Sequence, residues 1–125
     1  MTSTDAPRAG GPRIAPDGLA RLRTELLDRR SAQSPLVAEH EATVSTLTGQ
    51  ADVDSILERE LADASIGRAR ALIIEIDAAL ARMDAGTYGA CESCGTAIPI
   101  ERLEAIPHTR TCVRCPAADR GPGLG

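Results

Sequence analysis

Four cysteines in two closely spaced pairs constrain this chain more than any other feature. Cys91 pairs with Cys94, and Cys112 pairs with Cys115, each pair in a C-x₂-C arrangement, and the chain has no other cysteine. Each pair can present two thiolates on one side of a tight turn, and two such turns supply the four soft ligands that tetrahedral Zn²⁺ prefers. Gly95 follows the first pair, where a positive φ is often needed. The spacing predicts one structural zinc site held by all four cysteines.

Two disulfide bonds, or four unrelated thiols, are the alternative interpretations. Zinc is favoured because the spacing matches metal sites and because residues 1–16 lack the apolar core of a signal peptide. His108, four residues before Cys112, is an alternative ligand, but four thiolates already suffice. A site closed by four protein ligands leaves no open position for chemistry. The sequence also lacks a Ser/His/Asp set and a phosphate-binding glycine loop, so we expect a cytoplasmic protein that is not an enzyme.

The composition predicts an all-α fold. The chain has no Trp, no Phe and a single Tyr, which argues against a thick globular core. A first helix is expected from an Asp17 N-cap to Thr48, with Gly49 beyond its end. A second helix is expected to begin at a capping box formed by Ser55 and Glu58 and to end before Gly86. The short connection makes the two helices an antiparallel coiled-coil hairpin.

Apolar spacing predicts which face of the second helix is buried. The expected face contains residues three, four or eight apart: Leu57, Leu61, Ala64, Leu72, Ile76, Ala79 and Met83. In the first helix, Pro35 predicts a kink or a short break near Ser34. Gly67 would lie opposite Pro35 and allow close approach of the helices there. His40 is expected to be a partly buried structural residue.

These elements divide the chain into four predicted regions. Residues 1–16 and 116–125 are predicted to be disordered tails by composition. The hairpin occupies residues 17–86 with its tip at 49–55, and the zinc finger occupies residues 87–115. No stretch of apolar residues is long enough for a membrane span, and we expect a monomer without membrane association.

Negative charge is concentrated at the connection between the helices. Residues 39–66 contain seven acidic residues and one basic residue, whereas the net charge of the whole chain is −4. Such a run is most often a solvated helical surface. Here, however, Asp52 and Asp54 lie at the tip of a hairpin, where they could enter a cleft of another macromolecule and meet Mg²⁺ or basic groups.

The C-terminal motif resembles that of the DksA/TraR C4-type zinc-finger proteins. The likeness runs from Tyr88 to Cys115 and rests on three motifs: Cys-Glu-Ser-Cys-Gly at 91–95, Arg-Leu-Glu-Ala-x-Pro at 102–107, and Cys-Val-Arg-Cys at 112–115. The resemblance implies a bacterial transcription factor that binds RNA polymerase directly. It also implies a coiled coil that enters the secondary channel of the polymerase, with acidic residues at its tip near the catalytic centre. The zinc module would pack at the base of the coiled coil.

Two departures from the family pattern bear on activity. The family tip is commonly Asp-x-x-Asp-x-Ala, whereas this chain has Asp52-Val53-Asp54, so Asp52 and Asp54 are the counterparts at a shorter spacing. Some members act with ppGpp through basic residues near the zinc module and in a helix after the last cysteine. Here Ile106 and a Gly/Pro-rich end stand in those places, which predicts weak or absent ppGpp synergy.

Two other functions use the same features. A zinc-stabilised DNA-binding module would employ Arg102, Arg110 and Arg114 on phosphates, although Glu92, Glu101 and Glu104 dilute that patch. A coiled-coil adaptor would use the hairpin surface as an interface. The negative net charge argues against binding to nucleic acid, so we expect no direct sequence-specific DNA binding.

Overall fold

A computed structural model describes residues 14–115, and within that range the fold is all-α as predicted. Its helices are α1 (Pro16–Leu47), α2 (Val53–Ala85) and α3 (Ile100–Ala105). The described range adds a single isolated antiparallel bridge, between Ala90 and Ala97. The predicted tail at 116–125, and all but three residues of the predicted tail at 1–16, lie outside the described residues.

The helix ends follow local sequence signals closely. Helix α1 begins at Pro16, where the missing N–H matters least, so Asp17 lies in the first turn and is not the N-cap we predicted. The amide of Leu19 donates to the carbonyl of Ala15 at 2.9 Å. Gly49 and Gly86, just beyond α1 and α2, have φ values of 94° and 81°, which confirms both predicted stops.

Helix α1 continues through Pro35 without a break, so of the two predicted outcomes only the kink stays a prediction. A proline removes one backbone donor from a helix, and this 32-residue helix contains Pro35 within its span. The predicted close approach at Gly67 is also wrong. A Cβ atom at Gly67 would meet nothing within 4 Å, so this position is open space on α2.

The chain forms two compact units. We call Leu27–Glu75 the connection unit, since it contains the link between α1 and α2. The residues up to Leu26 and those from Ile76 onward form the other, which we call the cysteine unit. The core of the cysteine unit includes side chains with at most 6% exposure, from both long helices and from the region after them: Leu22, Leu26, Ile76, Ala79, Tyr88, Ile98 and Leu103.

In the connection unit, α2 buries a different face from the one we predicted. Ala62, Ile66 and Ala69 are buried, whereas Leu57 and Leu61 are 53% and 69% exposed. Ala64 is exposed too. The buried residues lie four and three apart, as a coiled-coil seam requires.

Polar contacts between α2 and α1 accompany the buried face. Arg59, one turn before Ala62 on the same face, donates to the carbonyl of Leu47 at the end of α1, at 3.0 Å. Farther along, Arg70 of α2 forms an ion pair with Glu41 of α1. Of the predicted face, Ile76 and Ala79 in the cysteine unit are fully buried, and Leu72 and Met83 are half-buried. His40 is half-buried, as expected.

Among the described residues, no helix combines the length and apolarity that a bilayer crossing requires.

Candidate metal centre and acidic connection

The first cysteine pair lies on a tight turn closed by backbone hydrogen bonds. The amide of Gly95 donates to the carbonyl of Cys91, and the amide of Cys91 donates to the carbonyl of Thr96, both at 2.8 Å. Gly95 has φ 78°, which a residue with a Cβ atom adopts only with strain. The turn therefore holds Cys91 and Cys94 close together, and its backbone geometry explains why a glycine follows this pair.

The second pair is held against the first. The amide of Cys115 donates to the carbonyl of Cys112 at 3.1 Å, which closes the second turn. The amide of Glu92 donates to the carbonyl of Arg110 at 2.9 Å and links the two segments. As a result, the four Sγ atoms lie within 4.8 Å of one another.

This geometry fits one zinc ion and not two disulfide bonds. All four cysteines are free thiols. The Sγ atoms of Cys94 and Cys112 are 3.7 Å apart. Zn–S bonds of about 2.3 Å in a tetrahedron would place the sulfur atoms about 3.8 Å apart. Four sulfur donors in this arrangement suit a single structural Zn²⁺.

The thiols differ in how readily they ionise. Burial disfavours the Cys91 thiolate, but hydrogen bonds from the backbone around Cys112, Cys94 and Ser93 outweigh it and lower its pKa to about 6. Burial, together with the neighbouring thiols, raises the pKa of Cys115 to about 12. Four adjacent thiolates repel one another, so a bound dication would stabilise the fully ionised set.

Side chains from α2 and α3 support the cluster. Arg82 near the end of α2 donates to the carbonyl of Thr109 at 3.1 Å. Arg102 of α3 donates through Nε to the carbonyl of Thr111 at 2.9 Å, next to Cys112. The Tyr88 hydroxyl donates to the carbonyl of Pro107 at 2.9 Å. These contacts use side-chain donors to hold the irregular backbone between the cysteine pairs.

Sequence reasoning missed one polar neighbour of the cluster. The hydroxyl of Thr96 lies 2.9 Å from the Sγ of Cys94. A hydroxyl donating to a thiolate orients the ligand and offsets part of its charge. The only signal for it in the sequence is a threonine two residues after a cysteine.

Two of the three arginines suggested for DNA binding make contacts inside the protein. Arg102 donates to Thr111, and Arg110 lies 3.5 Å from the carboxylate of Glu92. Glu92 also pairs with Arg82 at 3.5 Å. Much of the positive charge of these arginines therefore lies in contacts within the protein.

At the connection, Asp52 caps α2. Its carboxylate accepts a hydrogen bond from the amide of Ser55 at 2.9 Å, and its carbonyl accepts one from Ile56 at 3.0 Å. Hydrogen bonds from the side chain and then the backbone of Ser55 lower the pKa of Asp52 below its ordinary value. The predicted Ser55 cap was wrong because Asp52, three residues earlier, takes that position.

The side chains of Ser55 and Asp54 lie in environments that differ from that of Asp52. The buried Ser55 hydroxyl also lies 3.0 Å from the side-chain Oε1 of Gln50. Asp54 is exposed in the first turn of α2, where the helix dipole favours a negative charge. Both aspartates belong to the connection unit, and the four cysteines belong to the cysteine unit.

The cysteine region matches a known family model. Residues 86–117 match the model described as "Prokaryotic dksA/traR C4-type zinc finger". This segment is therefore similar to the zinc finger of that family.

Three curated relatives are similar to part of this chain. An uncharacterised protein of Aquifex aeolicus is 56% identical over 45 residues, which is 36% of this chain and 31% of the relative. General stress protein 16O of Bacillus subtilis is 50% identical over 48 residues, which is 38% of this chain and 29% of the relative. "RNA polymerase-binding transcription factor DksA" of Haemophilus influenzae is 42% identical over 48 residues, covering 38% and 33%. The chain thus spans about a third of the length of the curated relatives it matches.

Solved structures extend the likeness beyond the zinc finger, at the level of the fold alone. The transcription factor DksA2 of Pseudomonas aeruginosa superposes with a TM-score of 0.74 at 22% identity, covering 92% of this chain and 91% of that one. The RNA polymerase binding protein and transcriptional regulator Dks of Chlamydia trachomatis superposes with a TM-score of 0.56 at 20% identity, covering 90% of this chain and 99% of that one.

Proposed function

We propose that this protein binds RNA polymerase directly and modulates transcription initiation in the cytoplasm without catalysing a reaction. The observation that carries the proposal is the combination of a DksA/TraR-type zinc finger with a DksA2-like fold over 92% of the chain. The Haemophilus relative and the Chlamydia protein are both named for binding to RNA polymerase. The contacts of Arg102 and Arg110 inside the protein leave less basic charge for DNA phosphates.

In this proposal, the zinc finger and the acidic connection have separate roles. Cys91, Cys94, Cys112 and Cys115 hold one structural zinc ion that stabilises the cysteine unit. The connection enters the secondary channel of the polymerase and presents acidic groups near the catalytic centre. Both aspartates are exposed, but Asp54 is the better candidate for a direct contact, because the Asp52 carboxylate already accepts a hydrogen bond from the start of α2.

The test separates binding from its effect on transcription. The double variant Asp52→Asn/Asp54→Asn removes two charges, while asparagine at 52 preserves the helix cap. We expect this variant to bind purified core RNA polymerase as the wild type does and to lose the effect on promoter-complex lifetime. The matched control, Asp28→Asn/Glu39→Gln, removes two exposed acids from α1 of the same unit and should keep both properties. Failure of the wild type to bind polymerase would refute the proposal.

A finer part of the proposal concerns ppGpp. We expect adding ppGpp to change the effect of this protein on transcription little. The support is the Gly/Pro-rich composition after the last cysteine and Ile106 in the segment where ppGpp-responsive members carry a base. Strong ppGpp-dependent enhancement in a purified transcription assay would contradict it. Duplex binding with a steep, linear dependence on log salt would favour the DNA-binding alternative.

A further inference from the structure

An exposed apolar row follows the first three turns of α2. Val53, Leu57 and Leu61 lie four residues apart and are 69%, 53% and 69% exposed. Ala64, three residues farther, is exposed on the same face. Single exposed leucines are ordinary, but a row at helical spacing matches the pattern by which a helix inserts into an apolar groove. We call these four residues the α2 ridge.

The ridge is not part of the core of the hairpin. The same helix buries Ala62, Ile66 and Ala69, and Arg59 on that face contacts the end of α1. The exposure of the ridge is therefore a result of the packing and not of a loosely packed helix end. More than half of the surface of each of these leucines is exposed within the described residues, so they stabilise the fold little.

Acidic residues border the ridge on both sides. Asp54 and Glu58 each lie three residues before a ridge leucine, and Glu60 lies three residues after Leu57. Residues three apart are neighbours on a helix surface, and all three acids are exposed. The nearby Arg59 is half-buried and donates to the carbonyl of Leu47, so it does not neutralise this border.

This pattern identifies the occupant of the ridge. A second copy of the same ridge would place carboxylates against carboxylates, which electrostatics disfavours. A surface complementary to the α2 ridge would be an apolar strip bordered by Arg or Lys side chains. We propose that the α2 ridge docks on such a basic-rimmed apolar surface of RNA polymerase and supplies binding affinity, separate from the effect of the aspartates on transcription. This inference rests on the proposed polymerase binding.

The main test replaces the ridge leucines without changing charge. Leu57→Gln/Leu61→Gln keeps good helix formers and should weaken binding to core RNA polymerase by about tenfold or more. Its thermal stability and helix content should equal those of the wild type. The matched control, Leu36→Gln/Ile74→Gln, alters two other large exposed apolar residues of the connection unit and should bind normally.

A second arm tests the charged border. Glu58→Arg/Glu60→Arg should weaken binding, with a smaller dependence of affinity on salt than the wild type shows. Sedimentation should show the wild type as a monomer at the concentrations used.

The outcomes distinguish the inference from the proposed function. If the wild type does not bind polymerase, both fail together. If the wild type binds and the ridge variant binds equally well, the inference alone fails. A ridge variant that unfolds would show that these leucines belong to the core. Dimerisation of the wild type that the ridge variant abolishes would make a second copy the occupant. Either result would overturn the inference.

Discussion

At the scale of single residues, Asp52 is committed to the structure of the helix it precedes. Its carboxylate accepts from the amide of Ser55, one of the donors that a helix start leaves without a partner. This contact gives a structural reason for an aspartate at the position, alongside its proposed role opposite the polymerase catalytic centre. The two roles make different demands, since the cap needs an acceptor and the catalytic centre needs a charge.

Two variants of Asp52 separate these demands. We expect Asp52→Ala to lower the melting temperature at neutral pH. Asp52→Asn should lower it much less, because asparagine also caps helices. The pKa of Asp52 is lowered in the folded state. The stabilisation that Asp52 provides is therefore present at pH values above the ordinary pKa that its carboxyl group has in the unfolded chain. It is lost as the pH falls through the lower pKa of the folded state. Melting curves recorded down to acidic pH should converge for wild type and Asp52→Ala. Equal stability of the two proteins at neutral pH would contradict the capping role.

Thr96 provides a second prediction at this scale. Its hydroxyl lies 2.9 Å from the Sγ of Cys94, so Thr96→Val keeps the shape and removes the hydrogen bond. Loss of such a contact typically weakens metal binding about 10-fold or more. Competition with a chromophoric chelator measures the zinc affinity, with Thr87→Val as a control at another exposed threonine of the cysteine unit. Unchanged affinity in Thr96→Val would show that the hydroxyl has no effect on the ligand.

At the scale of elements, α2 carries apolar residues on more than one face, and only one of them is buried against α1. Ile66 is 8% exposed and Leu61 is 69% exposed, although they lie five residues apart on the same helix. They form a matched pair for measuring what each face contributes to folding.

We expect Ile66→Ala to lower the free energy of unfolding by about 2 kcal/mol or more, because it removes buried methyl groups from the seam. Leu61→Ala should change it by less than about 0.5 kcal/mol, as surface substitutions usually do. Denaturant titration followed by circular dichroism measures both. The reverse order would mean that the predicted Leu57, Leu61 and Ala64 face is the buried one.

Gly67 gives the second prediction for α2. A helix-interior glycine lowers stability by about 1 kcal/mol relative to alanine, and a Cβ atom here would meet no neighbour within 4 Å. Gly67→Ala should therefore raise the free energy of unfolding by about 1 kcal/mol in the same assay. A destabilised variant would instead indicate that the helices approach each other closely at this position.

At the scale of the whole molecule, the zinc finger and the helix ends beside it fold as one unit around a metal site. Tyr88 reports on this unit because it is the only tyrosine, the chain has no tryptophan, and its hydroxyl donates to the carbonyl of Pro107. Burial raises the pKa of Tyr88 to about 12, against the partial opposition of the Arg82 charge. The phenol thus contributes stability that is complete below its ordinary pKa of 10.0 and is lost as pH rises towards 12.

Removal of zinc should release Tyr88. Without the metal, the irregular segment between the cysteine pairs loses the bonds that close it. We expect chelation to shift the Tyr88 pKa from about 12 towards 10.0, measured by phenolate absorbance during alkaline titration. Most helical circular dichroism should persist, because the helical segments of the connection unit contain no zinc ligand. An unchanged tyrosine titration after verified zinc loss would show that the fold around Tyr88 does not need the metal.

Features that depend on a few neighbouring residues could be predicted from the sequence alone. The two C-x₂-C pairs predicted the thiol cluster, because ligand spacing is local and Gly95 permits the turn. The all-α class followed from composition, and Gly49 and Gly86 marked the helix stops because their backbone conformation suits glycine. The tertiary structure decided what several sequence patterns allowed equally. It chose Ala62, Ile66 and Ala69 as the seam over Leu57 and Leu61, since a helix with apolar residues on two faces can bury only the face its partner covers. It brought Thr96 to Cys94 and made Asp52 the helix cap, because such contacts depend on where the folded backbone places each donor and acceptor.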